Sequence, residues 1–407
     1  MNSWLPFEWI AASRFLREGR MQTLFIIMGV SIGVGVIIFM SAALAGQQAN
    51  MIRRVLSAQA HIVLLPPQEI ARPLRGPEVA EAAIVQRPYQ RLRSIDQWQK
   101  IIAEVGRMRA VTAVSPMASG PVLAVRGEAT RAVSMLGVDP DLYYRVIPLP
   151  EKIVRGTANL TSEDIIVGTE LASDLGVTVG DKLSVSVASG QAATLKIVGI
   201  VDLGSKGTNQ RNTYVSLHTA QALLGLIGGV SSIDLTVSDI YAAEDVAQTI
   251  AAMTGVEADS WIYTNAQFYM AINAQVVSNT IIRFCVALAI AFGIAAVLIV
   301  SVVQKSKEIG ILRAMGTSQG QIMRVFLVLG AVLGLGGSVF GSALGGAAIL
   351  AWQTFVRNPD GTPLFPLEMD PRLFVASAIL ATLTGLVAAV APALRGARLD
   401  PVVAIRG

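Results

Sequence analysis

The chain has 407 residues, of which 53% are hydrophobic and 15% charged, and its formal net charge is +4. This composition is too apolar for a soluble domain and indicates a membrane protein. The absence of a clustered basic surface and the few aromatic residues argue against a nucleic-acid partner. Two isolated histidines argue against a metal site, and the single cysteine, Cys285, excludes an internal disulfide.

Four runs without charged residues predict membrane-spanning helices, since each can supply the roughly 20 residues that cross the hydrocarbon core. The predicted spans are 21–45, 284–304, 325–352 and 373–394. The uncharged stretch 272–282 before the second span is interrupted by polar residues and predicts a helix that leads into that span from outside. A cleaved signal peptide at Ala43-Leu44-Ala45 is the alternative for the first run, but it would not explain three further spans.

The positions of the basic residues predict the topology. They cluster in the N-terminal segment 1–20, the loop 305–324 and the tail 395–407, as Arg14, Arg17, Arg20, Lys305, Lys307, Arg313, Arg324, Arg395, Arg398 and Arg406. These three segments are therefore expected in the cytoplasm. The loop 353–372 has no positive excess and is expected outside, together with the long segment 46–283.

The outer segment 46–283 predicts an α+β domain. Strand, helix and strand patterns follow one another at its start, from 61 to 116, and again at its end, from 231 to 261, where Gly255 is expected to end the second helix. Two such βαβ-like units predict one lobe that is split by an inserted, strand-rich lobe at about 121–230. Prolines 66, 67, 73, 77 and 88 predict an irregular loop inside the first unit.

Sequence motifs give no sign of catalysis. The stretch GVTVGDK at 176–182 lacks the spacing of a phosphate-binding loop and places Asp181 where a phosphate would need neutral donors, so it predicts a turn at Gly180-Asp181. No G-x-S-x-G sequence follows a predicted strand, as a nucleophile elbow would, and no H-E-x-x-H helix is present. The predicted spans also carry no acid or base, which argues against a proton-coupled transporter.

Glycines at four-residue spacing predict closely packed membrane helices. The first predicted span contains Gly29 and Gly33, and the third contains Gly330, Gly334, Gly337, Gly341 and Gly345. For any one pair, the alternative is that glycine is simply frequent in membrane helices. The several pairs together favour helix contacts.

The polar loop QKSKEIGILRAMGTSQGQI, 304–322, predicts a short mixed helix that Gly316 ends. In isolation it could equally be a solvated turn on the membrane surface. Its surroundings give more information. The segment KSKEIGILRAMGTSQGQIMRVFLVLGAVLGLGGSVFGSALGG and the ending APALRGARLDPVVAIRG resemble the C-terminal part of ABC transporter permeases of the MacB, FtsX and LolC type. The stretch IIVGTELASDLGVTVGD in the outer segment is similar to the same family.

This resemblance implies a non-catalytic permease subunit with four transmembrane helices and a large outer domain. Two copies of a separate ATPase would bind ATP and Mg²⁺, and a second permease copy or a paralogue would complete the complex. Closure of the ATPases would then move the outer domains without substrate crossing the membrane, a mechanism called mechanotransmission. The chain itself would bind no cofactor.

By the same resemblance, the segment from Lys305 to Arg313 would be the coupling helix seated in a groove of the ATPase. Apolar side chains would bury area there, and charged side chains would fix the register. The residues implied in this role are Lys305, Lys307, Glu308, Ile309, Ile311, Leu312 and Arg313.

The segment DSWIYTNAQFYMAINAQVVSNTIIRF, 259–284, is similar to the lipoprotein-releasing LolC and LolE branch, and the VGGIGIMN signature of the MacB branch is absent. This branch implies extraction of lipoprotein or another lipophilic cargo from the outer leaflet of a bacterial inner membrane, and whether a periplasmic carrier or adaptor is a further partner stays open. Two alternatives remain. One is efflux with a periplasmic adaptor, as in MacB, and the other is regulation of a cell-wall hydrolase, as in FtsX.

Overall fold

A computed structural model describes residues 7–67, 92–357, 365 and 367–399. The predicted loop around prolines 73, 77 and 88 and the tail from 400 onward lie outside these residues. The helices are α1 Phe7–Glu18, α2 Arg20–Leu56, α3 Trp98–Val105, α4 Pro140–Val146, α5 Thr169–Leu175, α6 Lys206–Arg211, α7 Leu217–Leu224, α8 Ala243–Thr254, α9 Trp261–Thr264, α10 Ala266–Gln304, α11 Ser306–Ala314, α12 Gln319–Phe355 and α13 Pro371–Ala397. The strands are β1 Ile62–Leu65, β2 Val111–Arg126, β3 Ala129–Val138, β4 Ile153–Gly156, β5 Asp164–Gly168, β6 Lys182–Ser186, β7 Ala192–Val201, β8 Asn212–Ser216, β9 Ser232–Val237 and β10 Glu257–Ser260.

The chain divides into two compact units. The first, called here the helical unit, comprises Met1–Met51 and Met270–Gly407. The second, called here the sheet unit, comprises Ile52–Tyr269. Both boundaries fall inside helices, one in α2 and one in α10, so neither coincides with the predicted domain limits at 46 and 283.

Four helices among the described residues, α2, α10, α12 and α13, are long and apolar enough to cross a membrane. Each contains one predicted span and extends beyond it at one or both ends, because the backbone continues as a helix after the apolar run stops. The extension is largest in α10, which starts at Ala266 and absorbs the predicted lead-in helix at 272–282 without a break.

The short helix α1 was not predicted. Only a charged cytoplasmic segment was predicted at 1–20, whereas α1 buries Ala12 and stacks Phe15 on Phe326 of α12 at a centroid distance of 6.2 Å. Glu8 of α1 also lies 3.7 Å from Arg324. The signal was present in the sequence, since Ala11, Ala12, Phe15 and Leu16 recur at helical spacing.

The sheet unit contains the predicted split βαβ lobe. Its strands run in the order β10-β1-β9-β2, and every neighbouring pair among them is antiparallel. Strands β1 and β2, joined through α3, are therefore parallel with β9 between them. Strands β9 and β10, joined through α8, are parallel with β1 between them. The helix of the second βαβ-like pattern, α8, ends at the predicted glycine, because Gly255 adopts a left-handed conformation with φ 71°.

The inserted lobe continues the same sheet instead of forming a separate one. Beyond β2 the strand order is β3-β8-β5-β7-β4, and β6 pairs with β2 and β7. The 16-residue strand β2 joins the two lobes into one sheet, because its first half pairs with β9 and its second half with β3. The predicted insert boundary at about 121 thus lies inside one strand.

The segment 176–182 forms the predicted turn, with Gly180 at φ 98°. The carboxylate of Asp181 accepts a hydrogen bond from the backbone N–H of Thr178 at 3.0 Å and lies 3.2 Å from the Arg126 guanidinium. The acid therefore occupies a donor that a phosphate would need. The segment is therefore a turn held by its own side chain and does not form a phosphate-binding loop.

One carboxylic acid lies inside the core of the sheet unit. Asp234 of β9 is 4% exposed, and its Oδ1 has no hydrogen-bond partner. Burial raises the pKa of this carboxyl to about 7, because the charged form loses its hydration. Apolar and aromatic residues such as Tyr143, Leu149 and Tyr214 form the nearby core.

Candidate coupling site between the second and third spans

The loop between the second and third spans is almost entirely helical. Helix α11 begins at Ser306, directly after Lys305, and Gly316 at φ 102° turns the chain beyond its end. Helix α12 then begins with a capping box, in which Ser318 Oγ accepts from Gln321 N at 3.2 Å and Gln321 Oε1 accepts from Ser318 N at 2.9 Å. The predicted short helix and its glycine stop are both present, and the capping box starts α12 directly after the turn.

One face of α11 is buried within the helical unit. Ile309 is 0% exposed and packs in an apolar cluster with Val302, Ile322, Phe326 and Ala393. The role of Ile309 at an ATPase stays a prediction, but in this conformation its side chain is already covered by α10, α12 and α13. Ile309 here anchors the helix.

The opposite face of α11 is exposed. Lys307, Ile311 and Met315 follow one another at four-residue spacing, with Glu308 beside them. Ile311 is 49% exposed and Met315 is 72% exposed. We call these four residues the coupling face. Met315 was not among the predicted coupling residues, although its spacing from Lys307 and Ile311 would have identified it.

Two more of the predicted coupling residues, Leu312 and Arg313, lie at the margin of the buried face. Both are half-buried. The Arg313 guanidinium donates to the backbone oxygen of Leu399, just after α13. Arg313 therefore holds α11 against the end of α13, and its charge is already engaged within the chain.

A small ionic network joins α11 to α1. Lys305 Nζ lies 2.5 Å from Glu18 Oε2 and 2.8 Å from Glu308 Oε1, and Arg14 Nε donates to Glu18 Oε1 at 2.8 Å. Hydrogen bonds from Arg14 and Lys305 hold the pKa of Glu18 below its usual value, and the same bonds to Glu18 and Glu308 raise the pKa of Lys305. Sequence reasoning missed Glu18, because no local pattern links it to Lys305.

The glycines of α12 form one stripe with two successive partners. In the first part, the backbone oxygen of Gly385 in α13 lies against Gly330, and that of Ala381 lies against Gly334. A Cβ atom on Gly334 would lie only 2.5 Å from the Ala381 oxygen. Gly385 was not predicted, although the Gly330 oxygen lies against it just as the Gly385 oxygen lies against Gly330. The backbones of α12 and α13 therefore touch.

In the second part of the stripe, Gly337, Gly341 and Gly345 face α2. A Cβ atom on Gly341 would lie 2.7 Å from Val34 Cβ, and one on Gly345 would lie 2.9 Å from Ile38 Cβ. Gly337 receives Val30, and the Ser31 hydroxyl lies 3.1 Å from the Gly337 oxygen. Here the glycines receive β-branched side chains of α2, and the Ser31 backbone oxygen also lies against Gly341.

The two predicted glycines of α2 differ. Gly33 lies against the Ile290 side chain of α10, whereas a Cβ atom on Gly29 would meet nothing within 4 Å. The structure therefore gives no helix contact at Gly29, since no neighbouring helix reaches it at that level. Within the described ranges, no group of three or more His, Cys, Asp or Glu side chains could hold a metal ion.

Comparison with known proteins gives two family matches. Residues 23–254 match the MacB-like periplasmic core domain, and residues 280–401 match the FtsX-like permease C-terminal region. The chain is 23% identical to the lipoprotein-releasing system transmembrane protein LolC of Neisseria meningitidis serogroup B, over 100% of this chain and 99% of that protein.

Two further relatives come from different branches. The lipoprotein-releasing system transmembrane protein LolE of Haemophilus influenzae is 22% identical, over 93% of this chain and 92% of that protein. The macrolide export ATP-binding/permease protein MacB of Hyphomonas neptunium is 24% identical, over 97% of this chain and 60% of that protein. With four candidate membrane helices and a periplasmic-type α/β domain, the chain belongs to the family of ABC transporter permeases of the LolC, LolE, MacB and FtsX type.

Proposed function

We propose that this chain is the permease of a complex in which a separate ATPase binds the coupling face of α11 and drives release of lipoprotein or another lipophilic cargo. ATP and Mg²⁺ would bind in two ATPase copies, and a second permease, identical or paralogous, would complete the assembly. The N- and C-termini and α11 would lie in the cytoplasm of a bacterial cell, and the sheet unit would lie outside its inner membrane.

The observation that carries the proposal is the division of α11 into an anchored face and an exposed face. Ile309 is fully buried within the chain, whereas Ile311 and Met315 are exposed beside Lys307 and Glu308. Two exposed apolar side chains flanked by opposite charges have the composition of a protein contact, with apolar anchors and a polar rim. Because Ile309 is rigidly packed, a force on this face would pass to α10 and α12.

The cargo assignment is supported by the relatives. LolC of Neisseria meningitidis, named for lipoprotein release, is matched over 99% of its length, whereas the MacB protein is matched over 60%. The chain thus spans nearly the whole of LolC but only about three fifths of the MacB protein. The segment 259–284 before and within α10 also resembles the lipoprotein-releasing branch.

The coupling assignment is tested with the tagged full-length chain purified from its native membranes in mild detergent. In the double variant Ile311→Asp with Met315→Asp, we expect recovery of ATPase subunits to fall about tenfold or more, because two apolar anchors are replaced by charges. The control Ser13→Asp adds a charge to an exposed position of α1 and is expected to retain the ATPase. Unchanged ATPase recovery in the double variant, with normal thermal unfolding, would refute the assignment.

The cargo assignment is tested on the same purified material by mass spectrometry of proteins and lipids together. Acylated proteins that co-purify with the chain and the ATPase would support lipoprotein release. A periplasmic adaptor in their place would contradict it and indicate efflux. A cell-wall hydrolase alone would indicate regulation.

A further inference from the structure

A groove of about 510 Å³ opens in the helical unit between the end of α10 and the end of α13. It is separate from the coupling face, although Ser306, the first residue of α11, lies at its edge. Its apolar wall includes Ile299, Val303 and Leu399, and its polar part is formed by Arg395 and Arg398.

The apolar wall follows one face of α10. Ile299 and Val303 are four residues apart in α10, so they lie one above the other along that helix, and Ser306 at the start of α11 lies next on the groove wall. Val303 is 68% exposed, which leaves this wall open to an apolar ligand. The wall becomes polar at Ser306, and the groove thus changes from apolar to polar along its length.

Two guanidinium groups mark the polar end. Arg395 and Arg398 are three residues apart at the end of α13, and both are exposed. In the described part of the chain, no carboxylate forms an ion pair with either one. Guanidinium groups bind phosphate with paired hydrogen bonds, and a pair of them at the end of an apolar wall complements an anionic amphiphile.

We propose that this groove binds one anionic phospholipid, with the phosphate between Arg395 and Arg398 and an acyl chain along Ile299 and Val303. Basic pockets between membrane helices are typical sites for anionic lipid headgroups. A free phosphate would leave the apolar wall unused, and a zwitterionic lipid would bring a headgroup cation next to the two arginines. This inference goes beyond the proposed function and does not depend on the ATPase. The membrane orientation proposed above determines only which leaflet supplies the lipid, and that leaflet is the cytoplasmic one.

The test is native mass spectrometry of the full-length chain in mild detergent, titrated with phosphatidylglycerol or with phosphatidylcholine of the same acyl chains. We expect the protein to bind phosphatidylglycerol on the order of 30-fold more tightly, since both lipids carry the phosphate but the two arginines repel the choline cation of phosphatidylcholine. The double variant Arg395→Gln with Arg398→Gln is expected to lose this preference. The variant Val303→Trp fills the groove and is expected to weaken binding of both lipids.

The matched control is Arg17→Gln with Arg20→Gln, which removes two exposed arginines outside the groove and is expected to keep the preference. Equal binding of the two lipids by the unaltered protein would overturn the proposal, as would an unchanged preference in the Arg395 and Arg398 variant. Displacement of phosphatidylglycerol by an equal concentration of inorganic phosphate would also overturn it and indicate a phosphate site. Binding that begins only after deletion of 400–407 would assign the groove to the tail instead.

Discussion

The helical unit and the sheet unit build their cores in different ways. In the helical unit, α12 and α13 approach until backbone touches backbone at Gly330 and Gly385. In the sheet unit, side chains fill the core, and β9 even buries the carboxyl of Asp234. The difference follows from the surroundings. Lipid is as apolar as the helices, so close packing must hold them together, whereas water drives the sheet unit to bury apolar area and leaves enough stability for one neutral acid.

The largest expected effect concerns the acid in the sheet unit. Because the pKa of Asp234 in the folded protein, about 7, lies above the value in an unfolded chain, the folded state holds the proton more tightly. The Asp234 carboxyl therefore makes its full contribution to the free energy of unfolding below about pH 4 and loses it as the pH rises through 7. The stability of the sheet unit should fall by about 3 kcal/mol between pH 5 and pH 8. Hydrogen exchange of peptides from β9 measures this change.

The matched variant for this prediction is Asp234→Asn, which cannot ionise. We expect its hydrogen exchange, corrected for the intrinsic effect of pH, to be nearly the same at pH 5 and pH 8. A pH dependence equal to that of the unaltered protein would show that another group titrates. In that case the contrast between the two cores would rest on glycine packing alone.

The next effect concerns the buried side chain of α11. Ile309→Ala should lower the free energy of unfolding by about 3 kcal/mol, because it leaves a cavity among Val302, Ile322 and Phe326. Ile311→Ala, in the same helix but on the exposed face, should change it by less than about 0.5 kcal/mol. Thermal unfolding in detergent compares the two. Similar losses for both variants would mean that Ile311 is also covered.

A smaller effect is expected for the backbone contact between α12 and α13. Gly330→Ala would place a methyl group against the Gly385 oxygen and Ala389, and we expect a loss of about 2 kcal/mol as the helices separate. Gly29→Ala has open space around it and should leave the unfolding temperature unchanged or slightly raised. If both glycine variants unfold at the same temperature, close packing does not distinguish the helical unit.

The smallest effect concerns the ionic network at Lys305. Lys305→Met removes both ion pairs, with Glu18 and Glu308, but these groups are solvated, so the unfolding temperature should fall by no more than about 2 °C. The decrease should shrink further at high salt, because salt screens solvated ion pairs. A large loss that is independent of salt would show that the network is structural.

What the sequence could predict depended on whether the signal was local. The spacing of Gly330, Gly334 and Gly341 and the helix stop at Gly316 are local patterns, and so are the strand and helix alternations that indicated the split βαβ lobe. Each single element or spacing in these patterns can be recognised from neighbouring residues alone. Four apolar runs were likewise sufficient to identify the four long helices.

The remaining features depend on residues far apart in the chain. Ile309 and Ile311 are equivalent in sequence, and only the positions of Val302 and Ala393 decide which one is buried. The partner of Lys305 is Glu18, which belongs to a helix that was not predicted. Asp234 alternates with apolar residues in β9 as a solvent-facing residue would, yet both faces of the strand are covered.

The glycine stripe of α12 has a consequence for how the sequence can vary in length. One insertion or deletion between Gly334 and Gly337 would rotate the two parts of the stripe by about 100° relative to each other. Only one of the helices α13 and α2 could then keep its contact. Exposed positions in the same stretch, such as Leu335 at 54% exposure, can change in residue type. Relatives should therefore differ in residue identity there and agree in residue count.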